Sequence, residues 1–435
     1  MTNNEIETDV LILGAGPAGL SAARTLKKDF LILEKNDSIG GLCRSFEFEG
    51  CTFDLGGHAF FTTEPESKKI IKKYSTVRFY EQLRSAWVYS YGNFIKYPFQ
   101  SNLFGLPTTI VRECISGLVQ AMLHSRKGQK VRNLEEWILK SFGEGMARHF
   151  LIPYNEKVWA HDLKKVFPTW VSARIVTPSF DRILKGALEK LNVNDYVNGI
   201  VNYPNKGGFQ NIYVPFADKR TLGRISFNEE LLELDIARRT VRTGSRTIKF
   251  KHLISTMPLD LLTQRTPGIP RGLLRSAKDL KHNSEYLVNL VFSRKYATDM
   301  QRLYSADRSD LFHKMVFNNN SSAYLRKNSK HFGIQAEVSF SREKKVDPRT
   351  LVPSVVKSLN RMGIVKGRPK ASKVVRLEYA YPVYTQAGEL AKAKLIQYFE
   401  DKKVFCAGRF GEWIYINSDK AILRGKAAAE KINQV

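Results

Sequence analysis

The chain is poor in cysteine, has no long apolar run and shows no internal repeat, and each absence removes a class of protein. Its four cysteines, Cys43, Cys51, Cys114 and Cys406, are scattered through 435 residues without a CxxC pair. That spacing argues against a disulfide framework and a thiolate-built zinc site, and fits a reducing compartment. No metal is expected. No stretch reaches the roughly 18 uninterrupted apolar residues of a membrane span. The first residues, Met1–Thr8, are polar and acidic and lack the basic and apolar regions of a secretory leader, so a cytoplasmic location is expected. No nucleic-acid-binding signature is visible, and no specific nucleic-acid partner is expected.

Charge is abundant and uneven. The chain carries 69 Lys and Arg against 42 Asp and Glu, a net charge of +27. Residues 1–66 hold 11 acidic and 5 basic residues, a net of −6, which leaves +33 on the remainder. General solubility, a funnel for a polyanionic small substrate, and an anionic partner or membrane surface all accommodate this excess. The basic residues are spread rather than gathered in one helix or tail.

The most informative segment is Asp9-Val-Leu-Ile-Leu-Gly-Ala-Gly-Pro-Ala-Gly19, followed by Leu31-Ile-Leu-Glu34. An apolar strand runs into a glycine turn and a helix, and a second strand ends in an acid. Gly14 permits the tight turn, Gly16 lets the backbone approach a pyrophosphate, and Gly19 lets the helix pack closely. The helix N-terminus offers unpaired N–H groups and a positive dipole end to the phosphates. Glu34, twenty residues after Gly14, is placed for a ribose hydroxyl. This is a dinucleotide fingerprint.

A second glycine cluster follows. Ile39-Gly-Gly-Leu-Cys-Arg44 and Phe53-Asp-Leu-Gly-Gly-His58 put two Gly-Gly pairs within 18 residues. Backbone packed closely against a flat ligand is the expected use, and points to FAD rather than NAD. Gly41, Gly56 and Gly57 would line it, Arg44 would neutralise cofactor phosphate, and His58 would sit beside the isoalloxazine. Downstream, Leu134–Phe142 and Gly145–Leu151 carry helical spacing, with Pro107, Pro153, Pro168 and Pro178 as breaks. Ile225-Ser-Phe, Leu231–Leu234, Thr240-Val-Arg and Thr247–Phe250 predict a meander of strands, and the stretch ends in Leu253–Pro258, a buried strand closed by a proline turn. Strands over Tyr286–Phe292 and Ile334–Phe340 follow, and the end reads as a strand, Val404–Cys406, a glycine loop and a helix over Lys420–Ile432 that could return to the first sheet.

Gly40-Gly41, Gly56-Gly57-His58 and Ser255-Thr-Met-Pro258 together resemble the amine-oxidase-like flavoproteins, a group that includes protoporphyrinogen oxidase and UDP-galactopyranose mutase. Three longer segments resemble the UDP-galactopyranose mutases, and the eukaryotic type more than the bacterial: Lys96-Tyr-Pro-Phe-Gln100; Pro153-Tyr-Asn-Glu-Lys-Val-Trp-Ala160 with Trp170–Arg174; and Gly408-Arg-Phe-Gly-Glu-Trp-Ile-Tyr415. The resemblance implies an α/β fold: a Rossmann-like FAD-binding domain of the amine-oxidase (GR2) type with an inserted helical domain and an antiparallel β-sheet domain. The division expected is 1–103, 196–283 and 386–435 for the FAD-binding parts, 104–195 for the helical part and 284–385 for the sheet.

The resemblance also implies roles. Tyr97, Phe99, Gln100, Asn155 and Trp159 would hold the uracil; Arg174 and Lys314 would hold the diphosphate, Lys314 standing where the family has arginine. Lysine keeps the charge but not the planar fork. Arg409, Tyr381, Tyr415, Asn417 and Asn198 would contact sugar and flavin, and Arg84 and Gly408 would lie near the flavin. The reaction implied interconverts pyranose and furanose forms of a UDP-sugar, by default UDP-galactose for cell-surface galactofuranose. Reduced FAD attacks the anomeric carbon through N5, with no net redox change. The origin of the electrons, external or from NAD(P)H, stays open, as does the oligomeric state, a homo-oligomer being allowed. Two alternatives remain: a flavin oxidase or dehydrogenase of the same fold, and a non-catalytic binder supported only by the charge.

Overall fold

The computed structural model describes residues 5–124, 130–171, 175, 177–191 and 199–434. Two sheets of seven strands each organise it. In the first, Glu5–Leu13 is central, paired in parallel with Phe30–Leu33 on one side and Thr247–Ser255 on the other. Val10, Leu11 and Ile12 are fully buried, the pattern of a parallel strand covered on both faces. Val404–Cys406 adds in parallel to the end of Thr247–Ser255. The sheet is thus assembled from segments hundreds of residues apart.

Three local expectations are corrected. Thr247–Phe250 and Leu253-Ile-Ser are one strand, Thr247–Ser255. Its first half alternates because one face is open, and its second half is continuously buried because each face meets a core, Leu253 on one side and Ile254 on the other. Ile225–Ser226 is no part of the meander; it pairs with Phe30–Leu33 at the opposite edge. Only Glu233–Asp235, Thr240–Arg242 and Thr247–Ser255 form antiparallel neighbours there. Pro153 does not break a helix but lies in the first turn of Ile152–Trp159, where its missing N–H costs no intrahelical bond. The helix before it, Leu134–Met146, bends at Gly143 and runs through a wide turn, Ala147–Leu151, into Ile152–Trp159.

The second sheet is ordered Ala371–Val383, Lys281–Phe292, Phe332–Phe340, Lys314–Phe317, Arg302–Ser305, Ala86–Ser90 and Asn93–Lys96. All neighbours are antiparallel except Arg302–Ser305 with Ala86–Ser90. The register places Lys314 opposite Glu337 on one side and Tyr304 on the other, and Glu285 opposite Ser339. The helices Thr108–His124, Leu134–Met146, Ile152–Trp159 and Phe180–Leu188 share a core with the Ala86–Asn93 edge of this sheet, around Phe99, Phe142, Phe150 and Trp159. The C-terminal helix Ser418–Asn433 packs on Pro17–Thr25, with Ser21 Oγ donating to the Ile422 carbonyl at 2.7 Å. A single cavity of about 740 Å³ runs from the glycine turn of the first sheet to the inner face of the second.

Candidate active site

The cavity starts where the first strand ends. Gly14 takes φ +101°, a left-handed conformation that an L side chain rarely adopts, and a Cβ there would collide with Thr256. A Cβ on Gly19 would collide with the Gly14 carbonyl, so this residue seats the helix on the turn and does not itself line the cavity. Gly16 caps Pro17–Thr25 without a side-chain bond, which leaves the first N–H groups of the helix to a ligand. A Cβ on Gly41 would come within 3.1 Å of Gly16 Cα, so the two glycines pack backbone to backbone at the cavity wall, with no room for a side chain between them. Glu34 is buried; its Oε2 accepts from Ala15 N at 2.8 Å and its Oε1 from Asn36 N at 2.9 Å, which ties the acid to the turn. Arg44 Nε donates to the Gly41 carbonyl at 3.1 Å at the cavity wall.

Gly56, Gly57 and His58 line the middle of the cavity. The His58 ring stacks on Phe209 at 4.7 Å, and its buried Nδ1 has no partner. Burial, then the nearby Lys314, Arg409 and Arg302, pull the imidazole down to about 3, so it is neutral at ordinary pH. Asp54 anchors this corner: it accepts from Tyr203 OH at 2.8 Å and Phe209 N at 3.0 Å.

The far end is cationic. Arg302 Nη2 donates to the His58 carbonyl at 2.6 Å. Arg84 Nη2 donates to Tyr304 OH at 2.8 Å, and Arg84 lies 4.9 Å over the Tyr97 ring. Burial alone would raise the Tyr304 phenol, but Arg84, Lys314 and Arg302 together hold it below its ordinary value. Lys314 Nζ pairs with Glu337 Oε2 at 2.7 Å, while Glu337 Oε1 accepts from Gly57 N at 2.6 Å. Arg409 Nε donates to the Ile416 carbonyl at 2.9 Å, with its guanidinium over Tyr381 and Tyr415. Gly408, at φ +85°, starts the short helix that carries Arg409, and Asn417 caps Ser418–Asn433.

Most expected site residues therefore meet at one cavity: Gly14, Gly16, Glu34, Gly41, Arg44, Gly56, Gly57, His58, Arg84, Lys314, Tyr381, Gly408, Arg409, Tyr415 and Asn417 line it. Arg174 and Asn198 lie outside the described residues. The expected base pocket stands apart from the cavity wall. Phe99 is fully buried and stacks on Phe150 at 4.7 Å. Trp159 is buried, its Nε1 donating to Asn155 Oδ1 at 3.1 Å, while Asn155 Nδ2 donates to the Leu151 carbonyl at 2.8 Å. Gln100 is also buried. Tyr97 stacks behind Tyr304 at 4.6 Å, and Trp159 meets Tyr415 and Tyr381 edge-on at 5.9 and 6.3 Å, so both touch residues of the cavity wall.

Arg302, Tyr304, Glu285 and Glu337 escaped the sequence reading. The available signal was the polar line Gln335, Glu337, Ser339 alternating with Ile334, Ala336, Val338. All six are buried, so the polar face of that strand looks into protein and cavity rather than bulk water.

The donor set fits a flavin dinucleotide: a glycine turn and helix N-terminus for the pyrophosphate, a tethered acid for the ribose, and an orphaned His58 Nδ1 in a residue that lines the cavity. Residues 17–433 match the family model for flavin containing amine oxidoreductase. The crystal structure of reduced UDP-galactopyranose mutase superposes with a TM-score of 0.90 at 26% identity, over 98% of this chain and 95% of that one. Putrescine oxidase with putrescine bound shares the fold alone, with a TM-score of 0.67 at 16% identity, over 99% and 100% of the two chains. Among curated proteins, one in the nifH2 3′ region of Methanothermococcus thermolithotrophicus is 47% identical over 53 residues, which is 12% of this chain and 51%, about half, of that protein.

Proposed function

Since the chain belongs to the flavin containing amine oxidoreductase family, we propose that within it this protein is an FAD-dependent nucleotide-sugar mutase, interconverting the pyranose and furanose forms of a UDP-sugar, by default UDP-galactose, with no net redox change. The observation that carries this reading is the sign of the far wall. Arg84, Arg302, Lys314 and Arg409 line it with two acids, Glu285 and Glu337, and Glu337 is paired with Lys314. A protonated amine would be repelled there, whereas a diphosphate would be held. The likeness to reduced UDP-galactopyranose mutase over nearly the whole chain supports the same reading.

The reduced flavin supplies the nucleophile for the anomeric carbon when bound. The chain's own residues do the rest. Arg84, with Tyr304 OH in its grip, and the expected Arg174 hold the diphosphate, so that the leaving group stays in place and its developing charge is met by preorganised cations. The base end is proposed to lie toward Tyr97, Gln100, Asn155 and Trp159, with Phe99 and Trp159 acting from the core as rigid backing. Neutral His58 offers hydrogen bonding beside the flavin rather than charge. Tyr381, Tyr415, Asn417 and Asn198 are proposed sugar contacts, and Arg409 lies against both rings of the Tyr381–Tyr415 pair.

The test is direct. The dithionite-reduced protein is incubated with a panel of UDP-hexoses and UDP-pentoses, and furanose products are sought by chromatography. Conversion by the reduced but not the oxidised protein is expected; no furanose from any member refutes the proposal. The family match and the putrescine oxidase fold keep an oxidase as the second reading, which oxygen uptake with an amine panel would establish.

A further inference from the structure

The inner face of the second sheet holds a buried polar cluster with no task in the scheme above. Glu285, on Lys281–Phe292, is 3% exposed. Its Oε1 lies 3.2 Å from His313 Nε2 and accepts from Ser339 Oγ at 3.4 Å. Its Oε2 has no protein partner among the described residues, and Glu285 lines the cavity. His313 Nε2 lies between two carboxylates, 4.0 Å from Glu337 Oε2, so its proton belongs on Nε2 and it can donate to Glu285 Oε1. His313 thereby fixes the carboxyl group and leaves Oε2 to the cavity.

The groups facing Glu285 come from every element around it: His313 and Lys314 from one neighbouring segment, Glu337 and Ser339 from the paired strand, Tyr381 from Ala371–Val383, and Arg409 from Gly408–Gly411. Lys157 and Lys344 stand behind His313. The cationic charge of Lys314 is already met by Glu337 at 2.7 Å. Burial pushes the Glu285 carboxyl up against the pull of Lys314 and Arg409, and burial pulls His313 down to about 3. Burial thus favours the protonated form of the acid at the cavity wall, beside an imidazole that burial keeps neutral. Glu285, His313 and Glu337 also bring ligand atoms within 4.8 Å of one another. A divalent cation there would face the Lys314 ammonium on the same carboxylate, so a metal is disfavoured.

Building on the mutase reading, we propose that Glu285 is the acid–base residue of the sugar interconversion and His313 its positioning residue. As the six-membered ring opens, the electron pair of the breaking bond from the anomeric carbon to the ring oxygen stays on that oxygen, which takes the Glu285 proton. As the five-membered ring closes, the C4 hydroxyl oxygen forms the new bond to the anomeric carbon and returns its proton to the Glu285 carboxylate. No proton and no electron is consumed over the cycle.

The test uses flavin-loaded wild type, E285Q and E285D. Because the acid form acts first, wild-type kcat/KM falls as pH rises through the elevated Glu285 pKa. E285Q should lose about 10²- to 10⁴-fold in kcat and lose that alkaline limb, while binding UDP and flavin like wild type; E285D should recover part of the rate. Independently of turnover, the infrared spectrum of the resting holoprotein should show a neutral carboxyl band that E285Q removes. E285Q with wild-type kcat and an intact alkaline limb, or an infrared spectrum that E285Q leaves unchanged, overturns the proposal. Wild type that converts no UDP-sugar overturns the mutase reading and the acid–base role with it, with the infrared band still deciding whether Glu285 is neutral.

Discussion

Removing the negative charge of Glu337 tests the electrostatic account of the cavity wall. In E337Q, glutamine keeps an oxygen for Gly57 N–H but leaves Lys314 without its counterion. At 2.7 Å, an effective dielectric of about 20 gives an attraction of about 6 kcal/mol. Desolvation of both groups takes much of this back, and breaking one side of a buried pair costs about 3–5 kcal/mol. Two features of the site reduce that figure. Lys314 is 13% exposed, onto the cavity, so water can partly solvate the ammonium. Glu285 can also respond: with Glu337 neutralised, the pull of Lys314 and Arg409 on its carboxyl is uncompensated, and it ionises as a substitute counterion. E337Q alone should therefore cost about 2 kcal/mol, below the range for a rigid buried pair. E285Q alone should be nearly silent, because glutamine matches the protonated acid that burial favours there. The double variant E285Q/E337Q should lose at least about 1 kcal/mol more than the sum of the singles. Urea unfolding of the flavin-loaded proteins, followed by intrinsic fluorescence, measures all four corners of the cycle. Additivity within about 0.5 kcal/mol would mean that Glu285 does not sense Lys314, and would refute the reasoning.

Three further outcomes are expected. Gly19→Ala drives a methyl group into the Gly14 carbonyl, a backbone atom with no room to move; a loss of about 1–3 kcal/mol and a lower flavin-to-protein absorbance ratio after purification should follow. Phe150→Ala removes a 3% exposed ring sandwiched between Phe99 at 4.7 Å and Tyr154 at 5.0 Å; a loss of about 3–5 kcal/mol is expected, read from the urea midpoint. Asp260 is pushed up to about 6 by burial, against hydrogen bonds from Leu261 N and Tyr379 OH. Its folded-state pKa lies above the unfolded value, so the folded protein holds a proton that the unfolded chain has released, and stability is lost as pH rises from about 4 to about 6. The shift corresponds to about 3 kcal/mol at most; Asp260→Asn should remove this slope and be more stable than wild type at pH 7 but not at pH 4 when the two midpoints are compared.

The glycine turn, the acid that follows it and the Gly-Gly-His segment were legible because each is a short stretch whose backbone requirement is written in residue identity: Gly14 must take a left-handed φ, Gly19 must lack a side chain, Gly41 must face Gly16. The helical core was legible in spacing, although the placement of Pro153 in a first turn depended on the helical turn before it. Composition alone assigns Phe99 and Trp159 to the core; the amides beside them and the order of the motifs are what point to a base pocket. Their burial and the internal hydrogen bonding of Asn155 distinguish backing from wall.

The sequence by itself determined a dinucleotide turn, a flavin-type glycine cluster and the residue types that could meet a charged nucleotide, because these depend on neighbours within a few positions. Tertiary structure alone decided how the far wall is charged. Lys314 and Glu337 are 23 residues apart and Glu285 lies 52 before Glu337 in sequence, yet strand register sets Lys314 opposite Glu337 and Glu285 opposite Ser339. A lysine that reads alone as a phosphate clamp becomes half of an ion pair. A strand that the sequence marks only as a strand brings Glu337 to the cavity and buries Gln335 and Ser339 beside it. Antiparallel pairing fixes which side chains share a face, and burial then fixes which of them carry charge.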